Sequence, residues 1–117
     1  MKKKTYDDIH VDTGAGEELL PGEARLTEIL EGLEEQEQAF IVIVDARDEE
    51  GQTYLQAALN EPDWWLVEFR SGSAARHYRA ATLVDFDGMS LLLRRYAARE
   101  KGWKEALEGL VWRKAEV

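Results

Sequence analysis

Between residues 40 and 82 the chain alternates short apolar runs with shorter breaks, and this spacing restricts the fold more than any other feature. Phe40-Ile41-Val42-Ile43-Val44 is rich in β-branched residues, apolar on both faces and too short for a helix, so it reads as a central strand. Asp45 to Gly51 carries turn chemistry, and Thr53 to Leu59 is a second strand. Asn60-Glu61-Pro62-Asp63 turns the chain again, because proline disfavours helix in the residue before it and lacks a ladder donor. Trp64 to Arg70 is a third strand, Ser71 to Ala75 a loop, and Arg76 to Thr82 a fourth strand. A parallel crossover needs about a dozen residues or more, so breaks this short join antiparallel neighbours. Residues 40–82 are expected to form a β-meander.

Strand alternation sends Trp65, Val67 and Phe69 to one face and Trp64, Leu66, Glu68 and Arg70 to the other. Helical periodicity flanks the meander. Pro21-Gly22 opens a helix to about Gln38, with Leu26, Ile29, Leu30 and Leu33 on one stripe and glutamates over the rest. Its late glutamates, Glu31, Glu34, Glu35 and Glu37, oppose the negative end of the helix dipole, where stability alone would favour Lys or Arg. Asp85 or Asp87 caps a second helix to about Lys101, closed by Gly102, whose stripe is Met89, Leu92, Leu93, Tyr96 and Ala97. A short helical turn after Trp103 and a last strand at Leu110 to Arg113 complete the chain. Residues 1–21 read as a loosely structured N-terminal segment with an edge strand at Ile9-His10-Val11. Thr13-Gly14-Ala15-Gly16 reads as a loop, because Glu17-Glu18 would repel phosphate. The expected class is α+β: a single domain over 1–117, with an antiparallel β-meander sheet and two main helices packed largely on one face.

Charge narrows the partners. The chain carries a net −9, with 5 Lys/Arg against 17 Asp/Glu in residues 1–63 and 10 against 7 in residues 64–117. Such an acidic first half repels nucleic acid and anionic membrane and attracts a basic protein. Lys2-Lys3-Lys4 runs into Thr5-Tyr6-Asp7-Asp8 with no apolar region behind it, so no signal peptide is expected. The longest apolar run, Ala39 to Val44, falls far short of the roughly 20 residues of a membrane span. With no cysteine, disulfides and thiolate metal sites are excluded, and a cytoplasmic location is expected.

Catalytic chemistry finds little footing. His10 and His77 lie in no ligand motif, and Asp7, Asp8 and Asp12 lack calcium-loop spacing. Ser71 or Ser73 with His77 and Glu68 could be drawn as a nucleophile–base set, but they sit in an ordinary Ser/Gly loop and nothing fixes their geometry. No enzyme activity, cofactor or metal is expected. Glu68 faces a following strand that offers Arg76, His77 and Arg79, which predicts a cross-strand pair or a polar patch for a partner. Of Trp64 and Trp65, one ring should fill the core and the other lie on the opposite face, where an exposed indole can anchor an interface.

The order of elements carries a resemblance. An apolar strand ending in an acidic turn, Phe40 to Gly51, leads into Tyr54-Leu55-Gln56-Ala57. Then come Trp65-Leu66-Val67-Glu68-Phe69-Arg70, Arg76-His77-Tyr78-Arg79-Ala80, a Tyr-bearing helix, and the closing Trp103 and Trp112-Arg113. This resembles the first-numbered immunity-protein family of bacterial polymorphic toxin systems, over about residues 38–114. The resemblance implies an α+β fold and a binding role: an inhibitor of a cognate toxin, often a deaminase-type modifier of nucleic acid, acting by occlusion of the toxin's substrate cleft. The residues expected to meet the toxin are the exposed turn carboxylates Asp48, Glu49 and Glu50, then Glu31, Glu34 and Glu35 of the first helix, with Trp64 and Glu68 on the open sheet face. A generic acidic interaction module or complex subunit is the alternative class.

Overall fold

The computed structural model describes residues 6–35 and 38–115. In chain order its elements are Ile9–Asp12 (β1), Glu17–Leu19 (β2), Glu23–Glu34 (α1), Phe40–Asp45 (β3), Thr53–Glu61 (β4), Trp64–Ser71 (β5), His77–Ala80 (β6), Phe86–Ala97 (α2) and Trp112–Lys114 (β7). Every strand pairing is antiparallel, in the order β2-β1-β3-β4-β5-β6-β7. The class is α+β, and the meander from β3 to β6 stands as expected.

Both helices pack on one face of the sheet. Leu26, Leu30 and Leu33 of α1 and Met89, Leu92, Leu93 and Ala97 of α2 are buried against Ile41, Ile43, Leu55, Val67 and Trp65, which is 2 % exposed. Asp85 caps α2, its carboxylate accepting from the Gly88 N–H at 2.8 Å. No helix among the described residues is long and apolar enough to cross a membrane.

The N-terminal expectation is corrected. Residues 6–20 are integral to the sheet: β1 lies between β2 and β3, and Ile9, Val11 and Leu20 are essentially inaccessible. Two apolar residues in a four-residue strand leave too short a pattern to register as periodicity. The helix ends also move. α1 stops at Glu34, short of Gln38, with residues 36–37 outside the described chain. α2 stops at Ala97 rather than Lys101, and Arg99, not Gly102, takes the left-handed conformation that ends it (φ 58°). The Glu100 N–H returns to the Arg95 carbonyl at 3.0 Å and the Arg99 N–H to that of Tyr96 at 2.9 Å, the double closure that normally selects glycine. At the other two positions the drift is small: Ala74–Arg76 is a 3-10 turn before β6, and the last strand begins at Trp112 rather than Leu110.

Candidate functional site

Residues paired across strands share a face, so the register maps the surface that the helices leave uncovered. One row runs Leu19, His10, Val44, Tyr54, Arg70, His77, and the next runs Glu17, Asp12, Val42, Gln56, Glu68, Arg79, Arg113. Phe40, Ala58 and Leu66 form a third, apolar row. Strand alternation puts Trp64 beyond Leu66 on this same face, 45 % exposed, while Trp65 fills the core.

Glu68 lies near the middle of this face as a structural ion pair. Its Oε1 accepts from Arg79 Nε and Nη2 and from His77 Nε2, each at 3.2 Å. Arg70 Nε donates to His77 Nδ1 at 3.2 Å, so the imidazole proton sits on Nε2 and points at Glu68. Arg70 also donates to Gln52 Oε1 at 2.7 Å. Both ring nitrogens of His77 are thus committed, and neither Ser71 nor Ser73 hydrogen-bonds to it; the drawn nucleophile–base set does not assemble. Among the described residues no cluster of three or more His, Asp or Glu side chains is placed to hold a metal.

The remaining predicted residues fall at opposite ends of the sheet. The end of α1, the β4–β5 turn and the start of α2 meet around a shallow depression lined by Leu33, Glu34, Leu59, Asp63, Trp65 and Phe86. Glu34 and Asp63 line it, and Glu31, Glu35, Glu61, Asp85 and Asp87 lie on or next to the same elements; all seven are exposed, and among the described residues none of them is ion-paired. Asp63 makes the tight turn with φ 69°, a conformation aspartate tolerates better than most residues, and that turn leads into Trp64, which pairs with Glu61 at this end of the sheet.

The β3–β4 turn, with Asp48, Glu49 and Glu50, lies at the far end, as does the Ser71–Ala75 loop; the Gly72 N–H reaches the Gln52 carbonyl at 2.9 Å. Here the expectation of three exposed turn carboxylates is corrected for Asp48, which is half-buried. Its side chain accepts from the Glu50 and Gln52 N–H groups at 3.1 Å and from the Thr53 hydroxyl at 2.8 Å, which builds the turn. Glu49 and Glu50 are exposed.

Sequence reasoning missed the most organised group at this end. Asp45 receives a two-pronged guanidinium from Arg99, at 2.8 and 3.0 Å, and a second from Arg47 at 3.2 Å. Arg99 also caps the Asp7 and Asp8 carbonyls, at 2.6 and 3.2 Å. Burial alone would raise the Asp45 carboxyl, but the arginine hydrogen bonds hold it well below the usual carboxylate range. Burial, with the Asp45 charge beside it, pushes the Tyr96 phenol up. The only sequence signal for this pair was an arginine standing off the apolar stripe of α2. No family model, curated protein or solved structure matches the chain.

Proposed function

We propose that this chain is an immunity protein that binds a cognate bacterial toxin domain, of the nucleic-acid-modifying deaminase type, and neutralises it by occupying the substrate cleft. The observation that carries this reading is the acidic end: six exposed carboxylates (Glu31, Glu34, Glu35, Glu61, Asp63 and Asp87) that among the described residues have no Lys or Arg partner, with the 45 %-exposed Trp64 at the same end of the sheet. Unpaired like charges repel one another, so the concentration of these six at one end is accounted for by a positive surface on another molecule. A toxin that modifies nucleic acid must present such a surface to phosphate. The carboxylates steer the approach, and Trp64 supplies an anchor that becomes desolvated at the same end of the sheet. The inhibitor needs no chemistry of its own, since excluding the substrate is enough.

The test is coexpression with the toxin domain encoded beside it. Wild type should restore growth, and a Trp64→Ala, Glu34→Lys, Glu61→Lys variant of unchanged melting temperature should not. Full protection by that variant would remove the acidic end from the interface. Failure of the wild type to protect would end the immunity reading.

A further inference from the structure

At the end of the sheet opposite the acidic surface, the tail of α2 and the ends of β4 and β5 enclose a cleft of ≈ 340 Å³. A second lobe of ≈ 380 Å³ opens beside it along β6 and β7, and both are lined by Phe69, Ser71 and Lys104. The two form one groove divided by Lys104. The first lobe sets Arg47, Arg70, Arg99, Lys101 and Lys104 against Asp45 and Glu100; the second adds Arg76 and Glu105. Asp45 is already neutralised by Arg99 and Arg47, so the groove holds a local cation excess in a chain of net −9.

The floor is aromatic. Phe69 stacks on Tyr78 at 4.9 Å and meets the edges of Trp103 and Trp112 at 5.1 and 5.0 Å, while the Lys104 ammonium lies 5.5 Å from its centroid. We propose that this groove binds an extended acidic peptide segment supplied by a protein partner. Carboxylates would meet Arg47 and Lys101 in the first lobe and Arg76 in the second, with Lys104 between them. The aliphatic stems of such side chains would lie on Trp103 and Trp112.

The same charge in a nucleic acid fits less well. Base stacking needs an open ring face, and at the centre of the floor Tyr78 and Lys104 already lie against Phe69. A long polyanion also meets the net charge of the whole chain, whereas a short segment feels mainly the field within a Debye length, about 8–10 Å. That the segment belongs to a toxin rests on the immunity reading; the preference of the groove does not.

Calorimetric titration with capped hexaglutamate and capped hexaglutamine separates the two, because it needs no toxin. Hexaglutamate should bind in a salt-sensitive way and hexaglutamine should not. Lys101→Glu with Lys104→Glu should weaken hexaglutamate binding by about tenfold or more. Lys101→Gln with Lys104→Gln, which avoids new repulsion, should give a smaller loss in the same direction, and Glu34→Lys with Glu61→Lys should leave binding in place. Equal binding of the two peptides, no binding of either, or wild-type affinity in the charge-reversed variant overturns the proposal. Tighter binding of an oligothymidylate than of hexaglutamate also overturns it and assigns the groove to nucleic acid.

Discussion

The two ends of the sheet treat charge in opposite ways. At the Asp45 end the carboxylates that build the fold are matched: Arg99 and Arg47 share Asp45, and Asp48 satisfies its own turn, while Arg76, Lys101 and Lys104 leave a cation excess around them. At the Trp64 end the carboxylates at the close of α1, in the β4–β5 turn and at the start of α2 stand, among the described residues, without cationic partners. Matched charge does structural work, and its loss should show in stability. Unmatched charge costs a little stability, and its loss should show in association. Equal amounts of surface charge can therefore have opposite experimental signatures, depending on what faces them.

Both ends hang on one core, so the largest effect should ignore the distinction. Leu30→Ala or Leu93→Ala should cost about 2–5 kcal/mol, because each side chain is essentially fully buried in the helix stripes. Denaturant unfolding checks this, and near-wild-type midpoints would mean that the stripes do not pack on the sheet.

Next in size is the Asp45 end. Arg99→Ala should destabilise by about 1–3 kcal/mol through loss of its charged hydrogen bonds. Relief of the left-handed backbone does not offset this, since alanine has the same steric penalty there. The pH dependence follows in sign. The folded Asp45 carboxyl lies below its unfolded value of 3.8, so its contribution is complete at neutral pH and is lost as the pH falls below that value. Asp45→Asn should lower the melting temperature at pH 7 and flatten its fall toward acid. A variant that keeps the full acid slope would show that other carboxylates carry it.

Smaller again is the β3–β4 turn. Asp48→Ala should cost about 1 kcal/mol, from its bonds to Gln52, Glu50 and Thr53. Glu49→Lys with Glu50→Lys should stay within about 0.5 kcal/mol of wild type. Equal costs would erase the division between the turn-building carboxylate and its exposed neighbours.

The meander was legible because Phe40 to Ser71 combines strong strand composition with turns of unmistakable chemistry, and because Trp65, Val67 and Phe69 alternate cleanly with Leu66 and Glu68. β1 and β2 were harder to see, since their pairing is set by partners distant in sequence: Ile9 opposes Asp45, and Val11 opposes Ile43. The end of α2 misled because Gly102 offered a cheap stop, whereas Arg99 accepts a costly backbone in exchange for Asp45, 54 residues away. The individual carboxylates were visible in the sequence. Their sorting was not, because it depends on which end of the sheet each turn and helix end reaches.

The central claim is tested most directly by stopped-flow association with the cognate toxin domain, comparing Glu34→Lys, Glu35→Lys, Glu61→Lys with Glu49→Lys, Glu50→Lys over a range of salt. The triple reversal at the Trp64 end should slow association by about tenfold or more at low ionic strength, with the difference shrinking as salt screens the charges. The double reversal in the β3–β4 turn should change the rate by less than about twofold. Equal slowing by both, or slowing by the turn variant alone, would contradict the assignment of the acidic end as the docking surface.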